Sequence, residues 1–170
     1  MLLGWGMDAF TKSTNLVRST KMNNIWITRF LGLAIEYSKW SKDPTTQIGA
    51  VAIDPTTRRV LSGGYNGFPR GMWDNAERLN DRETKLKYVV HAEANMIYNA
   101  TRSGVSLKDT HVFVHGLPIC SECAKALIQV GVSKVYIEST SLGSERWDES
   151  WKLSKAMFDE CGVEVEIVEV

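Results

Sequence analysis

Two short motifs, His91-Ala92-Glu93 and Cys120-Ser121-Glu122-Cys123, lie 29 residues apart, counted from the histidine to the first cysteine. Each opens a segment that reads as a helix. Residues 91–102 place Ala92, Met96 and Ile97 on one side; residues 120–130 place Ala124, Leu127 and Ile128 on one side, with Gly131 as the terminating residue. Between them residues 111–115 (HVFVH) read as a strand, broken by Gly116-Leu117-Pro118. If the motifs act together, two helix starts must converge on one point, which excludes any fold in which those helices point apart.

The residue types explain why they would converge. Cysteines three apart at a helix start put two sulfurs on one face, where the helix dipole and free N–H groups favour thiolates. With His91 they make three tetrahedral ligands, which leaves a fourth position for water, as a catalytic zinc requires. Zinc lowers the pKa of such a water towards neutrality. Glu93, two residues from His91, can move protons without itself binding the metal. A lone Cys-x-x-Cys also suits a redox pair or half of a structural zinc site. A structural site needs a fourth Cys or His, and only Cys161, His111 and His115 remain. His111 and His115 share a strand face and read as packing or surface residues, and Cys161 reads as core. Three cysteines do not suggest a disulfide framework.

The rest of the chain supplies the frame. Residues 1–23 have no clear period and are read as an N-terminal extension; residues 24–170 are read as one domain. Trp26, Phe30, Leu33, Ala34 and Tyr37 recur at helical spacing before Pro44. Residues 47–54 and 60–65 read as an antiparallel hairpin around Pro55-Thr56-Thr57. Residues 66–87 read as an irregular, charged stretch, long enough to suggest a functional or regulatory role. Strands at 134–138 and 163–170 and a helix at 147–160 complete the order α-β-β-α-β-α-β-α-β. A three-layer α/β/α architecture with a five-stranded mixed sheet fits that order.

Twenty Lys and Arg balance twenty Asp and Glu in 170 residues. That balance speaks against a surface built to coat nucleic acid, and leaves room for a small anionic ligand. No run approaches the ~20 apolar residues of a membrane helix, and the start lacks a signal-peptide pattern. A cytoplasmic protein with no membrane partner is expected.

The His-x-Glu and Cys-x-x-Cys pair resembles the signature of zinc-dependent nucleobase deaminases. More narrowly, the chain resembles the deoxycytidylate deaminases from about residue 24 onward. The likeness runs through Ser41-Lys42-Asp43-Pro44, Gln47-Ile48-Gly49-Ala50, Gly64-Tyr65-Asn66-Gly67, the two motifs, Ala124-Lys125 and Gly131-Val132. One departure stands out: the family places Pro directly before the first Cys, whereas here Ile119 intervenes after Pro118.

The resemblance implies a cytidine-deaminase-like fold and hydrolysis of dCMP to dUMP and ammonia. It implies zinc on His91, Cys120 and Cys123, with Glu93 as the catalytic acid and base. Asn66, otherwise a tight-turn residue, would bond the sugar hydroxyl. Ala92 and the backbone near Pro118 would meet the base, and Lys42, Thr45 or Arg70 the phosphate. Trp147 would cap the pocket or anchor the core with Trp151. The family is also commonly oligomeric, which points to a homo-oligomer, a hexamer, switched on by dCTP and off by dTTP with magnesium. Gly64, Asn66, Gly67, Arg70 and Gly71 would form the regulatory phosphate loop. The rivals are a deaminase of transfer-RNA adenosine or of a free base, and a zinc-stabilised binding module without turnover. Balanced charge, the Gly-Tyr-Asn-Gly segment and Glu93 respectively speak against them.

Overall fold

Alternation along the three central strands divides the core in two. The computed structural model describes residues 22–143 and 145–169. Of the N-terminal extension, residues 1–21 lie outside that range. Met22 and Asn23 belong to the packed domain: Met22 is buried, and the Asn23 side chain accepts from Trp26 N–H at 3.2 Å to cap the first helix.

The elements are α1 (Asn24–Ser38), β1 (Gly49–Ile53), β2 (Val60–Tyr65), α2 (Ala76–Asn80), α3 (Arg82–Tyr88), α4 (Ala92–Arg102), β3 (His111–His115), α5 (Ser121–Gln129), β4 (Lys134–Glu138), α6 (Glu145–Cys161) and β5 (Glu164–Val168), with one 3-10 turn at Ser139–Ser141. The sheet order is β2-β1-β3-β4-β5. β1 runs antiparallel to β2 and β3, while β3, β4 and β5 are parallel. The expected α/β fold with a five-stranded mixed sheet is therefore present.

Successive strand residues point to opposite faces. Val51, Ile53, Phe113 and Tyr136 pack with Phe30 and Leu31 of α1. Ala50, Ala52, Val112, Val114, Val135 and Ile137 pack on the other face, with Met96 of α4, Leu127 of α5 and Phe158 of α6. The two glycines closing β2 allow close approach. A Cβ on Gly63 would lie 2.2 Å from the Tyr37 ring, and one on Gly64 would lie 2.3 Å from the Met96 nitrogen. Helix α4 thus lies directly on β2, and three side chains fasten the two together. Ser62 Oγ donates to Met96 O, Asn95 Nδ2 to Tyr65 O and Asn99 Nδ2 to Gly63 O, at 2.7, 2.8 and 2.7 Å.

Two expectations are corrected. The stretch 66–87 is not simply irregular. Asn75 accepts from Glu77 N–H and Asp81 from Glu83 N–H and Thr84 N–H, and each cap starts a short helix. Neither helix carries an apolar stripe, so periodicity does not reveal them. Cys161 is exposed at the end of α6, before Gly162 at φ +74°; Phe158 fills the core place instead.

Candidate metal centre and active-site cavity

His91 and Cys120 are the N-cap residues of α4 and α5, both with extended backbone and neither with a side-chain capping bond. Their side chains are thereby free to face each other. Cys123 sits in the first turn of α5. His91 Nδ1 lies 3.4 Å from Cys120 Sγ and 3.5 Å from Cys123 Sγ, and ligand atoms of all three fall within 4.8 Å of one another. A tetrahedral zinc with ordinary Zn–S and Zn–N bonds sets its N and S ligands about 3.6 Å apart. The donor set and its spacing both fit that ion.

The three groups already share charge. The neighbouring Cys123 and His91 outweigh burial and push the Cys120 thiol well below its ordinary value. Contact with Cys120, with burial, pushes Cys123 up. The Cys120 contact also holds His91 above the ordinary imidazole value, against the effect of burial. Glu93 is 4% exposed, and burial raises its carboxyl above the usual range.

Neighbouring elements hold this geometry. Ser150 of α6 accepts from Ser121 N–H at 3.0 Å, supplying the cap that Cys120 does not. Ser154 donates to Ile119 O at 2.8 Å. Gly67 and Val90 exchange backbone bonds of 3.1 and 2.8 Å just before His91. His115 Nδ1 lies 2.6 Å from Glu138 Oε2, tying the ends of β3 and β4 below the 116–118 turn.

A cavity of about 420 Å³ opens beside these groups, lined by His91, Glu93 and Cys120 and by Ile48, Leu86, Val89, Leu117 and Trp147, among others. Its size and mixed lining suit a small molecule. Residues 24–139 match the family described as the cytidine and deoxycytidylate deaminase zinc-binding region. The chain belongs to that family.

The chain is 41% identical over 141 residues to an uncharacterized deaminase in the luxG 3′ region of Aliivibrio fischeri, covering 82% of this chain and 91% of the other. It is 33% identical over 143 residues to the deoxycytidylate deaminase of Pongo abelii, covering 81% and 76%. Among solved structures, the dCMP deaminase of cyanophage S-TIM5, in complex with dCMP and dUMP, aligns at TM-score 0.68 and 23% identity over 86% of this chain and 99% of that one. At that identity the likeness speaks for the fold.

The remaining sequence-based candidates separate in space. Asn66, Thr45, Pro118 and Trp147 line the cavity. The Asn66 amide accepts from Ile48 N–H and donates to Thr46 O, both at 2.8 Å, so it ties the end of β2 to the segment before β1; the tight turn expected at Asn66-Gly67 is absent, because Gly67 is bridged to Val90. Ala92, expected to meet the base, is fully buried in the core and does not line the cavity. Lys42 and Arg70 do not line this cavity: Lys42 pairs with Asp74 at 2.6 Å, and Arg70 bonds Asn99 on the α4 surface. Gly64 is no open phosphate cradle, because α4 covers it. Gly67 spends its N–H and carbonyl on Val90, leaving Gly71 at an exposed positive-φ turn. Ile119, the departure from the family pattern, turns into the core at 0% exposure while Pro118 stays at the cavity. Sequence reasoning missed Lys85, Arg82 and Asn80 as lining residues. The signal available for them was the Asn75 and Asp81 caps, each followed by good helix formers.

Proposed function

We propose that this family member hydrolyses dCMP to dUMP and ammonia. One observation carries the reading: a His-Cys-Cys set with zinc spacing opens onto the same cavity as a buried carboxyl, Glu93. A zinc ion held by His91, Cys120 and Cys123 would supply Lewis acidity to water at the open fourth position. Glu93 is the group that would take a proton from water and hand it to ring N3, and would then carry a second proton to the departing amine. A carboxyl lifted by burial suits a group that must accept a proton and return it. Asn66 keeps one N–H and one lone pair beyond its two internal bonds, enough to meet a sugar hydroxyl. The backbone around Pro118 offers the base-edge contacts, and Trp147 forms a wall of the pocket. Named deoxycytidylate deaminases among the relatives support the choice of substrate.

The same reading extends to control: a cytoplasmic homo-oligomer, a hexamer, raised by dCTP and lowered by dTTP with magnesium. A small cavity of about 80 Å³, lined by Lys42, Gly67 and Asp74, shares Asp43, Leu79 and Val89 with the main one and supports coupling across that wall. Arg70 and Gly71 are the loop groups left for a triphosphate; Gly64 is not.

Ammonia release from cytidine, deoxycytidine, dCMP, dCTP and adenosine tests the substrate. dCMP should exceed the others in kcat/KM, and a preference for adenosine or no release from any would overturn the reading. Rates against dCMP concentration, with and without each triphosphate and magnesium, test control. Hyperbolic curves unchanged by either would end that part.

A further inference from the structure

A second charged cluster lines the cavity, apart from the metal centre. Lys85 is 7% exposed, and a lysine is rarely buried unless paired. Its ammonium lies 2.9 Å from Asp43 Oδ1 and 2.9 Å from Thr45 Oγ1. Asp43 Oδ1 also accepts from Thr45 N–H, Thr45 Oγ1 and Thr46 N–H at 2.9 to 3.0 Å. The donors of the network are therefore nearly spent. The threonine hydroxyl gives its one hydrogen to Asp43, and both backbone N–H groups go to the same oxygen. An ammonium has three hydrogens, and only two are used. The group with a donor left over is Lys85, and it lines the cavity.

Stability alone is a weak reason for this arrangement, since a buried ion pair gains little over an apolar replacement. Charge offers a better one. With Arg82, also a lining residue, the cluster holds two cations and one carboxylate. A phosphate monoester seated there would meet a fixed N–H and a net positive wall.

We propose that Lys85, held by Asp43 and Thr45 and assisted by Arg82, is the specificity determinant that selects a 5′-phosphorylated nucleotide over the nucleoside. This rests on the reading that the cavity takes a deoxycytidine nucleotide. Lys85 contacts the phosphate through its third N–H, and Asp43 and Thr45 are positioning residues for it.

The test compares kcat/KM for dCMP and for deoxycytidine in the zinc-loaded protein, with calorimetric binding of dUMP and deoxyuridine as a measure that needs no turnover. Lys85→Met leaves Asp43 buried without a counter-ion, so the double variant Asp43→Asn, Lys85→Met is made beside it; it removes both charges and keeps the turn acceptor. Both variants should lower the nucleotide-to-nucleoside ratio by about 10- to 100-fold, the worth of a hydrogen bond between charged groups. Lys85→Arg should recover part of it. A ratio within about threefold of the parent in the folded double variant, or equal losses on both substrates, overturns the proposal and leaves Lys85 as a structural latch. A parent chain that discriminates neither dCMP from deoxycytidine nor dUMP from deoxyuridine overturns it too. Ammonia from neither substrate refutes the deaminase reading itself.

Discussion

The helix starts that carry His91 and Cys120 face the same cavity as α2 and α3, yet the two sides are held by different forces. α4 buries Ala92, Met96, Ile97 and Ala100 in the main core, and α5 buries Ala124 and Leu127. In α2 no residue is buried, and in α3 only Lys85 is. One side is positioned by apolar packing and side-chain bonds to β2 and α6. The other is held by an ion pair. Apolar packing of the first kind responds little to pH, whereas an ion pair makes the wall responsive to charge.

The sharpest way to break the first side is at the ligands. Cys120→Ser with Cys123→Ser should abolish stoichiometric zinc in metal analysis and, with it, turnover; retained zinc would refute the ligand set. Glu93→Gln should lower kcat by about 10²–10⁴-fold with zinc retained, the range of general acid–base groups. A kcat within about threefold of the parent would remove Glu93 from that role. Ser154→Ala attacks the support rather than the ligands. It leaves the buried Ile119 carbonyl without its donor, a loss of about 1–3 kcal/mol. The melting temperature should fall by about 2–4 °C per kcal/mol, and zinc should exchange faster with a chelator.

The opposite wall is sharpened by pH. Burial would raise the Asp43 carboxyl, but hydrogen bonds from Lys85, Thr45 and Thr46 outweigh it and hold the group below its ordinary value. A depressed folded value means that Asp43 stabilises the fold above its unfolded pKa of about 3.9, and that this is lost as pH falls through the folded value. In denaturant titrations, the parent should lead Asp43→Asn at neutral pH and lose that lead below about pH 4. An unchanged lead in acid would exclude the ion pair as the fastening. The smallest effect belongs to Cys161→Ser: an exposed site away from the metal centre, where stability should change by less than about 0.5 kcal/mol and zinc content not at all.

The same division governs what can be read from sequence. Strands such as residues 111–115 and 134–138 are legible to the residue because short β-branched and aromatic runs, buried on both faces and bounded by turn residues, read as central strands. The convergence of His91, Cys120 and Cys123 is legible because a metal site would restrict residue type and spacing. Asp43, Arg82 and Lys85 are not, because a charged residue in a charged stretch looks the same whether it is solvated or turned into a cavity. Lys42 and Arg70 show the converse, being cations whose neighbourhood in sequence suggested a pocket they do not line. Cys161 was misread because a small apolar residue near the end of a helix carries no mark of the face it occupies. Gly64 sits in a glycine-rich stretch, and only the tertiary contact with α4 shows that its missing side chain serves packing.

The 29-residue separation of His91 and Cys120 has a meaning for the unfolded chain as well. An ion gripping both residues closes a loop that contains all of α4 and β3. In the unfolded chain, bringing the ends of a loop of this size together costs about 3–4 kcal/mol of entropy, so an ion finds its ligands already gathered only in the folded state. Because the ion is bound by folded geometry, its affinity and the folding equilibrium are linked. The cation that would polarise water in the cavity would thus also serve as a removable staple, and loss of metal would loosen the centre of the sheet.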